Sequence, residues 1–172
     1  MDDRRMAILG EIPRMRRYAR ALLRDQNAAD DLVQDSLERA LSRMGNWRSG
    51  ENPRRWLFTI MHNLFVDQFR KTRRRNESAM LPIENSEVLA QPAVQFGHAV
   101  NGDVLEALQT ISADRRAALI LVAVEGFSYA EAAELLAIPA GTVMSRVSRG
   151  REDLRAILDN GHRRRAIKVV EP

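Results

Sequence analysis

The sequence predicts an all-α protein made of two small helical domains that a flexible linker joins. Hydrophobic residues fill 45% of the 172 positions but aromatic residues only 5%, so leucine, alanine, valine and isoleucine carry most apolar positions. That composition favours helices. The apolar residues also recur at steps of three and four, the spacing that places them on one face of a helix. A chain of this length holds one domain or two small ones.

The first predicted helix lies near residues 5–24. Pro13 has no N–H to donate inside a helix, so the regular part of the helix could begin there. The apolar side is expected to consist of Ile8, Ile12, Met15, Ala19, Leu22 and Leu23.

The second predicted helix covers residues 27–44, with Asn27 as its N-cap. Asp30 and Asp31 fall in its predicted first turn, where carboxylates stabilise a helix through its dipole. Its buried stripe is expected to be Leu32, Val33, Leu37, Ala40, Leu41 and Met44, and its outer surface carries Asp31, Gln34, Asp35 and Glu38. Asp35 and Glu38 lie beyond the first turn, so the dipole does not account for them. An acidic stripe on a basic protein is suited to docking a basic partner.

A loop at residues 45–52 precedes the third predicted helix, at residues 53–75. Trp47 in this loop either plugs the domain or stacks on an unpaired base. The helix carries Trp56 on its apolar side and Asn63 among its polar positions, and then becomes densely basic at Arg70, Lys71, Arg73, Arg74 and Arg75. Basic charge beside aromatic rings suits single-stranded nucleic acid. The simpler alternative is that these cations only stabilise the helix C-terminus.

Residues 76–102 have the composition of a linker. They show little periodicity, hold no arginine and contain Pro82, Pro92, Gly97 and Gly102. The predicted domains are therefore residues 1–75 and 103–160, and a basic tail follows at residues 161–172.

The second domain is predicted to end in a helix-turn-helix. Two helical segments fill residues 103–125, with Ser112 expected to cap the second and Gly126 to end it. Ser128 and Glu131 then have the spacing of a capping box. A further helix is expected to begin between Pro139 and Thr142, because proline suits a first helical turn.

The last predicted helix has an apolar face and a basic one. The apolar face consists of Val143, Val147 and Leu154, which share one side of the helix at helical spacing. The opposite face carries Ser145, Ser148 and Arg149. Met144 lies at the edge of that face, and Arg146 and Arg151 lie beside it. Serine hydroxyls and arginine side chains of this kind can contact base edges and phosphates in a major groove. The alternative is an ordinary helical hairpin with a solvated basic face.

The whole chain has a formal charge of +4, with arginine clusters that suit phosphate contacts. It has no cysteine, which excludes disulfides and thiolate zinc sites. No apolar run approaches the roughly 18 residues of a membrane span, and the N-terminus does not resemble a secretory signal, so a cytoplasmic protein is expected. No phosphate-binding glycine loop, metal-spaced cluster or nucleophile–base pair is present, so neither an enzyme nor a cofactor is expected.

Four motifs in this order resemble the extracytoplasmic-function group of bacterial sigma factors, the smallest class of the sigma-70 family, which has only conserved regions 2 and 4. The motifs are ADDLVQD at residues 29–35, WLFTI at 56–60 with Asn63 and Asp67 after it, GFSYAEAA at 126–133 and PAGTVMSR at 139–146. The resemblance covers nearly the whole chain.

The resemblance implies a role for each segment, with core RNA polymerase, promoter DNA and an anti-sigma factor as partners. The residues expected to dock on core polymerase are Asp31, Gln34, Asp35 and Glu38. Those expected to recognise and melt the −10 element are Trp47, Arg48, Trp56, Asn63, Arg70, Lys71 and Arg73. Those expected at the −35 element are Thr142, Met144, Ser145, Arg146, Ser148, Arg149 and Arg151. Because Met144 cannot donate a hydrogen bond and Ser148 is small, groove shape is expected to contribute to recognition.

Two other functions compete with this interpretation. A helix-turn-helix transcriptional regulator that does not bind core polymerase would use residues 1–75 for sensing or dimerisation, but has no need of an acidic second helix and a basic third one. An enzyme acting on nucleic acid would need a catalytic constellation, and His62, His98 and His162 are scattered along the chain.

Overall fold

The computed structural model describes residues 3–47, 51–78 and 102–168, and in these ranges it contains helices and no strand. The helices are α1 Asp3–Leu22, α2 Gln26–Ser42, α3 Pro53–Ser78, α4 Gly102–Thr110, α5 Ala113–Ala123, α6 Tyr129–Leu136 and α7 Ala140–Lys168, with a short 3₁₀ turn at Met44–Asn46. We call α1–α3 the front lobe and α4–α7 the back lobe. The predicted linker falls almost entirely outside the described residues, apart from the last turn of α3 and the first residue of α4.

The front lobe packs three helices around Met15, Tyr18, Leu32, Leu57 and Phe58, all fully buried. Contrary to the expectation that α1 becomes regular only at Pro13, the helix runs without a break from Asp3 through the proline. Pro13 lies on the exposed side of α1, where water can bond to the carbonyl that loses its donor.

The predicted start of α2 was wrong by two residues. Its N-cap is Asp25 rather than Asn27, because the Asp25 carboxylate accepts a hydrogen bond from the N–H of Ala28 at 2.9 Å. Asp30 and Asp31 consequently lie outside the first turn. The predicted buried stripe also changes: Leu41 is 51% exposed. The buried Ser36 takes a core position instead, since its hydroxyl bonds to the carbonyl of Leu32 at 2.6 Å.

The back lobe is built on the crossing of α5 and α7. Gly150 lies at this crossing, where a Cβ would be in ordinary van der Waals contact with the carbonyl oxygen of Arg115 at 3.4 Å and the side chain of Leu119 at 3.5 Å. Val143 and Val147 of α7 are buried, as predicted.

The buried guanidinium of Arg116 forms hydrogen bonds to the backbone at the corner between α4 and α5. Nη1 of Arg116 donates to the carbonyl oxygens of Leu108, Gln109 and Ile111 at 3.1–3.4 Å. Ser112 occupies the predicted N-cap of α5, but its side chain makes no capping hydrogen bond. The end of α4 is thus stabilised from within the lobe.

The capping box at the start of α6 is confirmed. The N–H of Glu131 bonds to the Ser128 hydroxyl at 3.2 Å, and the Glu131 carboxylate accepts from the N–H of Ser128 at 2.8 Å. These bonds hold the pKa of Glu131 below its usual value. After α6, α7 begins at Ala140, within the predicted interval, and continues to Lys168, past the predicted domain end at residue 160.

The two lobes pack against each other, which the sequence did not predict. Phe58 of α3 meets Phe127 of the back lobe edge to face, with ring centroids 5.4 Å apart. The amide of Gln109 donates to the carbonyl of Ala21 at 2.9 Å. Buried apolar residues of both lobes accordingly belong to one connected cluster, which leaves out Trp47 and Ala107.

Candidate nucleic-acid interface

The acidic surface of α2 is exposed, as predicted. Asp31, Gln34, Asp35 and Glu38 all face solvent. The amide of Gln34 donates to Glu38 at 3.1 Å, and Gln68 of α3 donates to Asp35 at 3.4 Å. These bonds order the carboxylates without removing them from solvent. The surface therefore presents negative charge to solvent.

Two tryptophans stack beside the start of α3. The rings of Trp47 and Trp56 are 5.6 Å apart and nearly parallel, at 10°. Trp47 is only 8% exposed, and its indole N–H donates to the carbonyl of Glu51 at 3.0 Å. In this arrangement Trp47 plugs the lobe, one of the two alternatives that the sequence left open. Trp56 is half-buried, and Arg48 lies outside the described residues.

Asn63 is exposed on α3, directly after a buried histidine. His62 is 9% exposed, and the hydroxyl of Tyr18 lies 3.3 Å from its Nδ1. Burial, together with the nearby charge of Arg146, lowers the pKa of His62 from 6.5 to about 4, although Asp114 opposes the shift. The imidazole is therefore neutral at physiological pH, and it anchors the helix turn that presents Asn63.

The basic end of α3 projects from the front lobe. Arg70 and Lys71 are exposed there, whereas the side chain of Arg73 lies outside the described part of the protein. Phe69, directly before Arg70, is 55% exposed. A cationic helix with an exposed ring has the features needed to hold a nucleic-acid backbone.

The outer face of α7 has the predicted composition. Met144 is 50% exposed, and Ser145, Ser148, Arg149 and Arg151 are also exposed. The Ser145 hydroxyl donates to the carbonyl of Thr142 at 2.9 Å, which leaves its oxygen able to accept.

Arg146 differs from its neighbours on α7. Its guanidinium lies 3.2 Å from Asp114 of α5, and its side chain is 27% exposed. Arg146, expected at the −35 element, is thus held by a carboxylate in this arrangement. Its contact with DNA stays a prediction.

A groove of about 370 Å³ separates α6 from α7 on this face. Its lining includes Met144, Ser148 and Arg151, which were predicted at the −35 element, and the buried Val147. Three further lining residues were not singled out from the sequence: Tyr129, Glu152 and Arg155. Arg155 follows Arg151 by one helical turn, so the spacing of these arginines was the available signal. Tyr129 could not be found in this way, because its place in the groove depends on how α6 crosses α7.

The described residues show no metal or membrane feature. None of the helices in residues 3–47, 51–78 and 102–168 has the length and apolar content of a membrane span. The same residues contain no group of three or more His, Cys, Asp or Glu side chains placed to bind a metal ion.

Comparison with known proteins identifies both lobes. Residues 8–62 match the family model of the Sigma2 domain of PhyR, and residues 101–154 match that of Sigma-70, region 4. The ECF RNA polymerase sigma factor EcfG of Rhodopseudomonas palustris (strain TIE-1) is 40% identical over 157 residues, 91% of this chain and 86% of that protein. SigE of Mycolicibacterium smegmatis, another ECF sigma factor, is 34% identical over 84% of this chain and 57% of its own length.

A solved relative matches both lobes together. The sigma factor RpoE of Bartonella quintana, in complex with the anti-sigma factor NepR, superposes with a TM-score of 0.79 and is 38% identical, over 92% of this chain and 98% of that one. The all-α fold with regions 2 and 4 is thereby confirmed. The chain belongs to the extracytoplasmic-function (ECF) family of RNA polymerase sigma factors.

Proposed function

We propose that this protein binds core RNA polymerase, directs it to promoters of one class and helps to open the DNA there. The observation that carries the proposal is the 40% identity to an ECF sigma factor over 91% of the chain. The exposed acidic face of α2 and the exposed polar face of α7 support it, because each proposed contact surface is accessible.

The front lobe supplies the polymerase contact and the melting surface. The carboxylates of Asp35 and Glu38 dock on a basic or amide-rich surface of the largest polymerase subunit. Trp56 and Asn63 then border the site that receives a base flipped out of the −10 element. Flipping costs a few kcal/mol of unstacking, and stacking on an aromatic ring returns about 1–3 kcal/mol per base.

The back lobe supplies recognition of duplex DNA. Arg149, with Met144, Ser145 and Ser148 around it, enters the major groove of the −35 element, and Arg151 contacts phosphates. Arg155 lines the same groove and extends the basic surface by one helical turn, and the neutral Tyr129 and the acidic Glu152 line it as well. Phosphate contacts fix the register of the complex, while base contacts supply the sequence preference.

An anti-sigma factor holds the protein inactive until a signal releases it. This part of the proposal is supported by the solved relative, which was crystallised with the anti-sigma factor NepR. The protein works in the cytoplasm, where its polymerase is found. It acts by binding and catalyses no reaction of its own.

The test is assembly with purified core polymerase. The chain is expected to co-elute with core and to protect a −35 and a −10 element from nuclease only when core is present. Failure to bind core would overturn the proposal.

A second candidate function is that of a sigma mimic, which binds an anti-sigma factor but not polymerase. The match of residues 8–62 to the Sigma2 domain of PhyR favours it; a solved PhyR is described as an anti-anti-sigma factor bound to NepR. The same assembly experiment separates the two, because a mimic would bind NepR-like proteins and leave core polymerase free.

A further inference from the structure

An ion pair inside the back lobe holds the guanidinium of Arg146. Its Nη2 lies 3.2 Å from a carboxylate oxygen of Asp114, in the first turn of α5. The side chain of Asp114 is 75% exposed, so water reaches the pair from one side. Both residues belong to the back lobe, and the pair therefore does not depend on the contact between the lobes.

Arg146 lies at the edge of the face that is proposed to contact the −35 element. It precedes Arg149 by three residues, which places the two side chains about 60° apart around the helix. A guanidinium carries its N–H donors in one fixed plane, so a carboxylate at Nη2 leaves other donors for DNA. The position of Asp114 accordingly sets the direction in which those donors point.

Folding stability does not account for this pair. A carboxylate in the first turn of α5 is favoured by the helix dipole, but that effect needs no partner on α7. An ion pair with an exposed carboxylate also contributes little to stability. What the pair does is to restrict the rotamers of a long side chain before DNA arrives. Immobilising such a side chain costs free energy on binding, and a restricted rotamer lowers that cost.

Asp114 also cancels the charge of Arg146. Binding to DNA of arbitrary sequence depends on how many cations neutralise phosphates. A guanidinium that is paired with a carboxylate adds no net charge to this count. One carboxylate therefore favours the oriented contact that a specific site offers and weakens the attraction to every other site.

We propose that Asp114 is a positioning residue for promoter recognition, which acts through its ion pair with Arg146 to raise the preference of the back lobe for its −35 sequence over other DNA. The proposal rests on the function proposed above, because that function assigns the outer face of α7 to the −35 element. The ligand is duplex DNA, and Asp114 itself does not contact it.

The test compares two duplexes bound by the chain assembled with core polymerase. One is the duplex that the wild-type complex enriches most from a random pool, and the other is a shuffled duplex of the same composition. Asp114→Ala is expected to lower the affinity for the enriched duplex about threefold. The same variant is expected to raise the affinity for the shuffled duplex about twofold and to steepen its salt dependence by roughly one.

These opposite changes identify a positioning role. A change that only loosens the fold would lower both affinities, and a change that only alters charge would raise both. Either of those results would overturn the proposal. Asp114→Glu keeps the carboxylate and is expected to retain most of the preference for the enriched duplex.

Asp153→Ala is the matched control on the same pair of helices. Asp153 pairs with Arg115 of α5 at 2.6 Å and lies about two helical turns beyond Arg146 on α7. Its loss removes the same charge and is expected to change both affinities by the same factor. Equal losses of preference in Asp114→Ala and Asp153→Ala would contradict a specific role for Asp114.

A double-mutant cycle tests whether Asp114 acts through Arg146. Arg146→Met removes the cation and keeps a long side chain. In that background Asp114→Ala is expected to leave the preference unchanged, because the interaction it breaks is already absent. If Asp114→Ala lowers the preference by the same factor with and without Arg146, the carboxylate acts by another route and the proposal fails.

The outcomes separate this proposal from the proposed function. If the wild-type complex enriches no sequence from the pool, the sigma function fails and the role of Asp114 falls with it. If the wild-type complex enriches one sequence and Asp114→Ala keeps the full preference for it, the sigma function stands and only the role of Asp114 fails.

Discussion

Ala137 holds the corner between α6 and α7 in a backbone conformation that favours glycine. Its φ is 53° and ψ 45°, and its N–H bonds to the carbonyls of Ala133 and Glu134. At this corner the sequence pointed to Pro139, because proline suits the first turn of the helix that follows. The α6 helix instead ends on an alanine, and nothing in the local pattern indicates that residue.

Replacing Ala137 with glycine is expected to stabilise the protein. The left-handed conformation costs an L-residue about 1–2 kcal/mol, whereas glycine loses about 0.5–1 kcal/mol of chain entropy, so the expected net gain is up to about 1.5 kcal/mol. Urea denaturation measures it. Ala156→Gly, at an exposed position inside α7, is the matched control and should lose about 1 kcal/mol. A loss of stability in Ala137→Gly would show that the corner is not strained.

His62 is expected to make the protein sensitive to mild acid. Its pKa falls from 6.5 in the unfolded chain to about 4 in the fold, so the unfolded state binds more protons between those values. Above pH 6.5 the buried neutral imidazole makes its full contribution to the free energy of unfolding. That contribution is lost as the pH falls from 6.5 towards 4, and the total loss is about 3 kcal/mol. The free energy of unfolding of wild type and His62→Gln should therefore converge as the pH falls through that window. A difference that does not depend on pH would contradict the burial of a neutral imidazole.

At the scale of elements, the sequence predicted most where a helix carries its own signals. The capping box at Ser128 and the apolar face of α7 were both predicted correctly from the sequence, because capping and helical periodicity depend only on neighbouring residues. The exposure of Leu41 and the N-cap at Asp25 were missed, although Leu32, Val33 and Ala40 of the predicted stripe are buried. The roles of the exposed faces remain predictions.

Charge reversal on α2 tests the proposed polymerase contact. Asp35→Lys with Glu38→Lys is expected to weaken binding to core at least tenfold, because like charges would then meet across the interface. Both residues are exposed, so the fold should be retained. Glu106→Lys with Asp159→Lys makes the same change of charge on exposed positions of the back lobe. Equal core affinity in the two double variants, measured by fluorescence titration, would remove the docking role of α2.

Arg149→Ala on α7 tests recognition of the upstream element. Loss of one arginine contact to base edges is expected to cost about 1–3 kcal/mol in affinity for the −35 duplex and to relax the preference for its sequence. Polymerase binding should not change. Arg39→Ala, an exposed arginine of the front lobe, serves as the control for overall charge in the same gel-shift titration. A loss of core binding in Arg149→Ala would show that this face of α7 contacts protein.

The arrangement of the whole molecule could not be predicted from the sequence. Arg17 and Glu125, which form an ion pair between the lobes, are 108 positions apart, and neither belongs to a pattern that links one lobe to the other. Each lobe was recognisable because its own helices carry periodic apolar faces. The contact between the lobes combines such charges with apolar residues like Phe58 and Phe127, and the sequence gives no sign of which partner any of these side chains will meet.

Asn63→Ala tests whether the front lobe opens DNA. The exposed amide is expected to contact a flipped base only after the strands separate, so the variant should lose permanganate reactivity at the −10 element more than tenfold while initial duplex binding falls less than twofold. Thr72→Ala, at another exposed position of α3, is the matched control. Equal losses in both steps would argue against a pocket for an unpaired base at Asn63.

The function of the whole molecule is tested most directly by sequencing the 5′ ends of RNA made by core polymerase with and without this chain on genomic DNA. The account predicts a small set of discrete start sites, each preceded by one shared pair of −35 and −10 sequences, that appear only when the chain is added. Start sites that are identical with and without the chain, or scattered without a shared sequence, would contradict it.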